Sequence, residues 1–357
     1  MKVLQLIDSL DAGGAERVAV NIANALSLNK DFKSFLCATR KEGLLKNNLN
    51  KNVGYVFLNK KFALDVFAIK KLNQFIAKHK IDIIHAHSTS FFLATLIKWL
   101  NPSLNIVWHD HYGNSEFLIK RKYKVLNICS KRFSHIICVT HSLKDWAIKK
   151  LSTKNITYIP NFAVQDNCKP LTNLKGIKGK RILHLANLRP QKDHFTLLKA
   201  FNEVIKAFPE YTLHCVGKNF DDDYSKQIKE LIYKLNLNKS VFFYESKKDV
   251  SNILSQSDIC VLSSKSEGLP IALLEYGLAG KTAIVTNVGN CSQVIKNEVN
   301  GVLVPKKDPQ KLAEALCISI KNQDKAKGFG KQLKQTVEKE YSQEVFVNKL
   351  MDIYNSV

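Results

Sequence analysis

Short apolar runs alternate with longer amphipathic stretches along almost the whole chain. VLQLI (3–7) has the length and composition of a buried strand, and Ala15 to Leu28 carries helical spacing. SFLCA (34–38) and YVFL (55–58) are further strands. Leu64 to His79 predicts a helix with Leu64, Phe67, Leu72, Phe75 and Ile76 on its buried face. DIIHA (82–86), NIVWH (105–109) and HIICV (135–139) follow as strands with helices between them, and ITYI (156–159) ends at Pro160. From Val164 to Lys180 the chain turns polar and loses its period, which predicts a linker.

The alternation then restarts. RILHLAN (181–187), TLHCVG (212–217), VFFYE (241–245), DICVLSS (258–264) and TAIVT (282–286) are strands. Lys192 to Phe208 and Asp222 to Asn236 are helices, and helical patterns fill the end of the chain. Strands that are apolar on both faces, separated by helices, form parallel sheets covered on both sides. The expectation is an α/β protein with two doubly wound, Rossmann-like domains facing a cleft, over 1–163 and 181–338. Ligands of such sheets bind beyond the carboxyl ends of the strands.

Composition narrows the picture. A chain of 357 residues suits two domains. Its most apolar stretch, FFLATLIKWL (91–100), is too short to span a membrane and carries Lys98. The N-terminus reaches Asp8 too early for a signal peptide. Eight cysteines form no CxxC pair, so a reducing cytoplasm is expected. The net charge of +23 is uneven, since residues 1–160 hold 25 Lys and Arg against 10 Asp and Glu. Such an excess points to polyanionic partners: nucleic acid, an anionic membrane or phosphorylated substrates.

Candidate chemistry sits just after predicted strands. DAGGAER (11–17) puts Gly13 and Gly14 at a helix start, where backbone N–H groups can approach an anion. The full dinucleotide fingerprint is missing, which argues against NAD. His85 with His87, and His109 with His111, fall on alternating strand positions. A single imidazole at a strand end, His109, meeting a substrate is a simpler expectation than a metal site. Arg189 and Lys192 in NLRPQKD open a helix with two cations, against the usual preference for acids there, and suit a diphosphate. Asp221 to Asp223 resembles an Asp-x-Asp metal motif, but acids at a helix start need no ligand to explain them.

The stretch SEGLPIALLEYG (266–277) is the most informative. Pro270 suits a helix start, which leaves Glu267 in the preceding loop and Glu275 inside the helix, a step of eight residues that spans about 12 Å at helical rise. Gly268, Leu269, Pro270 and Ile271 form the helix N-terminus between two carboxylates. A carboxylate accepts hydrogen bonds from a vicinal diol, and a helix N-terminus favours phosphate. The layout fits a diphosphate with a polyhydroxylated ring at each end, a nucleotide-diphosphate sugar.

With these residues together, the chain resembles the retaining glycosyltransferases of family 4, which have the GT-B fold. The resemblance spans essentially the whole sequence. It rests on the E-x7-E pair Glu267 and Glu275, the cations Arg189 and Lys192, Gly13 and Gly14, and His109. It implies that Glu275 binds the nucleotide ribose and Glu267 the donor-sugar hydroxyls. It implies that Arg189 and Lys192 stabilise the leaving diphosphate, that His109 contacts the sugar and that the glycine loop lies by the phosphates. It also implies a last helix, 339–357, that returns to the first domain, with no metal and no cofactor beyond the sugar nucleotide. Departures from the family pattern fall at Asn161-Phe162, at Tyr244-Glu245-Ser246 and at Gln293.

The expected activity is retaining transfer of a sugar from a nucleotide-diphosphate sugar to a glycan or polyprenyl-diphosphate-linked saccharide in polysaccharide or lipopolysaccharide synthesis. The expected place is the cytoplasm, peripheral on the inner membrane. Lys60, Lys61, Lys70, Lys71 and the cluster Lys120, Arg121, Lys122, Lys124, Lys131 and Arg132 would face anionic lipid. Phe62, Phe91 and Phe92 are candidate anchors, with a core position the better expectation for phenylalanines. The rivals are a GT-B nucleotide-sugar epimerase and a basic nucleic-acid-binding protein. The second would want aromatics interleaved with its cations, and only Tyr123 lies among them.

Overall fold

The computed structural model describes residues 1–11, 13–113, 115–165 and 168–357. Ala12 of the glycine loop, and Asp166 and Asn167 of the expected linker, lie outside the described residues. The chain divides into two compact units, Met1–Phe162 with Gln343–Val357, and Ala163–Ser342.

In unit 1 the strands are β1 (Lys2–Ser9), β2 (Lys33–Lys41), β3 (Gly54–Phe57), β4 (Ile83–His87), β5 (Asn105–Asp110), β6 (His135–Cys138) and β7 (Ile156–Tyr158). They form one sheet in the order β3-β2-β1-β4-β5-β6-β7, with every pairing parallel. Helices α1 (Gly14–Leu28), α2 (Val66–His79), α3 (Phe91–Leu100), α4 (Lys124–Ser130) and α5 (His141–Lys150) connect them. Alternate residues of β2 enter different cores. Phe35 and Cys37 join one, and Leu36 and Ala38 the other. That division explains why the strands lack a polar face.

Unit 2 repeats the plan. Strands β8 (Arg181–Leu185), β9 (Thr212–Val216), β10 (Val241–Tyr244), β11 (Ile259–Leu262), β12 (Thr282–Thr286) and β13 (Val302–Val304) run in the order β10-β9-β8-β11-β12-β13. Its helices are α6 (His194–Ala207), α7 (Asp223–Lys234), α8 (Val250–Ser255), α9 (Ile271–Leu278), α10 (Cys291–Val294), α11 (Pro309–Lys321) and α12 (Gln323–Glu340). The last helix, α13 (Gln343–Asn355), belongs to unit 1. In each sheet the strand order reverses beside the first strand, between β1 and β4 and between β8 and β11. Parallel sheets offer ligands a crevice at that point.

Two expectations need correction. The segment after Val164 is not a free linker. Leu171 and Thr172 donate their backbone N–H groups to Asp249, at 2.8 and 2.7 Å, and Leu174 N–H donates to Gln256. These bonds fasten it to unit 2. The buried face of α2 is also narrower than its period implies. Ala68, Leu72 and Ile76 are buried, whereas Leu64 is 60% and Phe67 86% exposed.

Candidate active site

In unit 2, the ends of β8 and β11 are stitched together. Pro190–Lys192 forms one 3-10 turn with Arg189 at its start, and α6 begins only after Asp193. Ser263 donates its hydroxyl to the Lys192 carbonyl, and Lys265 N–H donates to the Gln191 carbonyl. The Lys192 ammonium stands 2.5 Å from Glu267 Oε1, which also accepts the Ser264 hydroxyl at 2.6 Å. Arg189 lies over the Phe220 ring, 4.2 Å from its centroid. The structure thus brings Lys192 and Glu267 into direct contact, with Arg189 on the same turn.

Pro270 is the N-cap of α9, one position earlier than the usual place for proline, and the first turn holds no acid. The loop ahead of it is fixed from β12. Asn290 N–H donates to the Gly268 carbonyl at 2.8 Å. Gly289 has φ +54°, and a Cβ there would fall 2.1 Å from the Glu267 carbonyl oxygen, so only glycine fits. Gln293, one of the departures from the family pattern, accepts from the Asn290 amide. Glu275 is largely buried in α9 and lines a small recess with Val250, Ser251, Leu254 and Leu278. Beside it Tyr276 ties two strands, accepting from Leu185 N–H and donating to the Val261 carbonyl.

Asp221 to Asp223 serve a helix start. Asp222 is the N-cap of α7 and accepts from Ser225 N–H at 3.0 Å.

Unit 1 gathers imidazoles on one sheet face. Gln5 pairs in register with His85, and His87 with His109, so parallel pairing aligns three strands. Opposite them, α13 supplies Tyr354 and Phe346. His85 Nδ1 is 2.6 Å from the Tyr354 hydroxyl and its Nε2 is 3.2 Å from His109 Nδ1. His87 Nδ1 is 3.0 Å from His111 Nε2, and its Nε2 is 2.8 Å from Gln5 Oε1. Burial, followed by the neighbouring rings, pushes His85 down to about 3 and His87 and His109 well below the ordinary histidine range; burial holds His111 at about 3. All four rings are therefore neutral.

Neutral rings and the Gln5 amide together support one proton arrangement for the network. Gln5 Oε1 accepts from His87 Nε2–H, so His87 Nδ1 accepts from His111 Nε2–H and His111 Nδ1 carries a lone pair. Gln5 Nε2 donates to Tyr354, at 3.3 Å, whose hydroxyl donates to His85 Nδ1. His85 Nε2–H then donates to His109 Nδ1, and His109 Nε2 bears a proton. That buried nitrogen has no hydrogen-bond partner among the described residues. Ligating nitrogens of His85, His87 and His109 lie within 4.8 Å of one another. The other ring nitrogens of the three engage Gln5, Tyr354, His111 and each other, which makes the group a hydrogen-bonded relay.

His109 does not stand open at the strand end as the sequence suggests. Its ring is fully buried and stacks on Phe346, at 6.2 Å between centroids. His111, two residues on, lines a cavity of about 760 Å³ with Trp108, Tyr112 and Lys120 to Lys124. Gly13 is the N-cap of α1, in an extended conformation open to any residue, and a Cβ there meets only the movable Glu16 carboxylate. The fold itself therefore places no firm demand for glycine at 13.

Sequence reasoning missed Ser264, Gly289, Gln5 and Tyr354, which carried no signal, and passed over His111 in favour of His109.

The family described as "Glycosyl transferases group 1" matches residues 172–336, and "Glycosyltransferase Family 4" matches 12–164. The chain is a glycosyltransferase of the family 4 type. The glycosyltransferase is 26% identical to an "Uncharacterized glycosyltransferase" of Haemophilus influenzae, over 87% of this chain and 88% of that one. It is 27% identical to the "UDP-Gal:alpha-D-GlcNAc-diphosphoundecaprenol alpha-1,3-galactosyltransferase" of Escherichia coli, over 85% and 84%. Anabaena Alr3699/HepE, solved "in complex with UDP and glucose", superposes with a TM-score of 0.83 at 18% identity, over 100% of both chains. The fold is GT-B, and the glycosyltransferase works in polysaccharide or glycolipid synthesis.

Proposed function

We propose that this glycosyltransferase moves a hexose from a uridine-diphosphate sugar to a polyprenyl-diphosphate-linked saccharide, with retention and without a metal ion. The observation that carries this reading is the contact of Glu267 with both Lys192 and Ser264 at the carboxyl ends of β8 and β11. It places a cation, an oriented carboxylate and the N-terminus of α9 in one neighbourhood. A diphosphate would take its countercharge from Lys192, Arg189 and the helix end, where charge develops as the sugar–phosphate bond breaks. Glu267 would hold sugar hydroxyls, and Glu275, in its recess, the ribose diol.

Uridine and the lipid diphosphate come from the relatives, whose names include UDP-Gal, diphosphoundecaprenol and UDP. Retention requires the acceptor oxygen to enter on the face that the diphosphate leaves. The departing phosphate oxygen takes the acceptor's proton there, so no protein nucleophile is needed. The basic first unit would also bring the enzyme to an anionic membrane. A panel of UDP-, GDP- and ADP-sugars tests the reading. UDP-sugars should raise the melting temperature, and transfer to a short polyprenyl-diphosphate sugar should give a product of unchanged anomeric configuration by NMR. Stabilisation by GDP- or ADP-sugars alone, or an inverted product, would overturn it.

A further inference from the structure

The run Phe62-Ala63-Leu64-Asp65-Val66-Phe67 opens α2 and leaves four large apolar side chains in water. Phe62 is 62% exposed, Leu64 60%, Val66 71% and Phe67 86%. This is not fraying, because α2 is anchored behind them by Ala68, Leu72 and Ile76. Single exposed apolar residues need no explanation, but four within six residues do.

Charge shows what covers them. The one acid in the run is turned away from the surface. Asp65 is 6% exposed and accepts from Lys61 N–H at 2.9 Å and Ala68 N–H at 3.1 Å, as the cap of α2. Exposed Lys61 precedes the apolar residues, and exposed Lys70 and Lys71 follow them. Among the described residues, no ion pair includes any of these three lysines. An apolar tip with unpaired cations on both sides is the composition of an interfacial anchor. A second copy of a chain carrying +23 would bring like charges together.

We infer that Phe62, Leu64, Val66 and Phe67 insert into the headgroup region of an anionic bilayer, with Lys61, Lys70 and Lys71 meeting its phosphates. The inference deepens the membrane part of the function proposed above and relocates it. Phe91 and Phe92 pack against the core, and Lys60 is buried. Arg121 is held in a two-pronged ion pair with Asp110, at 2.6 and 2.8 Å, and stacks on Tyr112 and Trp146. None of these four meets lipid.

The experiment is vesicle co-sedimentation of the full chain, read without any sugar, so its outcome is separate from that of the donor panel. Vesicles are pure phosphatidylcholine or phosphatidylcholine with about one-third phosphatidylglycerol. Wild type should bind the anionic vesicles and release as salt rises. Phe62→Ser with Phe67→Ser should lower the partition coefficient at least tenfold, as should Lys70→Glu with Lys71→Glu. Tyr233→Ser, at an exposed aromatic of unit 2, should change nothing. Melting temperatures should stay near wild type, since the altered side chains lie in water. Equal binding to neutral vesicles, no binding to anionic ones at low salt, or undiminished binding by the Phe62/Phe67 variant would each overturn the inference. So would a shift from dimer to monomer in that variant, which would assign the patch to self-association.

Discussion

The Tyr354 hydroxyl lies 2.6 Å from His85 Nδ1, joining two residues 269 positions apart in the sequence. It accepts from Gln5 and donates to His85, so one oxygen governs both arms of the buried relay. Tyr354→Phe would leave the Gln5 amide and the His85 ring nitrogen unpaired. The expected cost is about 1–3 kcal/mol of stability, measured by urea unfolding.

The relay also sets a dependence on pH. His85 and His111 have folded values of about 3, against an ordinary value of 6.5, and His87 and His109 shift the same way. A depressed imidazole binds its proton more readily in the unfolded chain. Its stabilisation is complete above about pH 6.5 and is lost as pH falls toward 3. Unfolding midpoints should therefore fall steeply below pH 6.5, and His85→Asn with His87→Asn should flatten the slope. An unchanged slope would sink the assignment.

The Lys192–Glu267 contact predicts a division between binding and turnover. Lys192→Ala and Arg189→Ala should each reduce kcat by about 10²-fold or more, because their charge matters most as the diphosphate leaves. Glu267→Gln should lower kcat more than donor affinity. Glu275→Gln should weaken donor binding by about 1.5–3 kcal/mol by calorimetry. The reverse pattern for the two glutamates would exchange their roles.

Asp222 should affect stability rather than chemistry. Loss of its cap in Asp222→Ala should cost about 1 kcal/mol, with kcat unchanged. Activity should survive EDTA. Complete loss on chelation, restored by Mg²⁺ or Mn²⁺, would return Asp221 to Asp223 to the site.

The strands were legible because each is a short apolar run between breakers, and their order of appearance implied two parallel sheets. Pro270 marked α9, and with it the different settings of Glu267 and Glu275. What periodicity could not supply was register and coverage. Parallel pairing sets His87 beside His109, but neither strand's sequence states its alignment with the other. Phe67 lies at helical spacing from Leu64, and no pattern says whether another element covers that face. The stretch after Val164 looks polar and aperiodic because its order comes from side chains far along the sequence, Asp249 and Gln256.

Unit 1 is written in two pieces, with all of unit 2 between them. A ribosome therefore finishes the seven strands of the first sheet long before it makes the helix that covers their imidazoles. Until residues 343–357 emerge, Gln5, His85 and His109 must remain hydrated or be shielded by a chaperone. Unit 2, continuous in sequence, can close first. A nascent chain arrested ahead of α13 should carry a mature second unit and a first unit still open along its polar stripe.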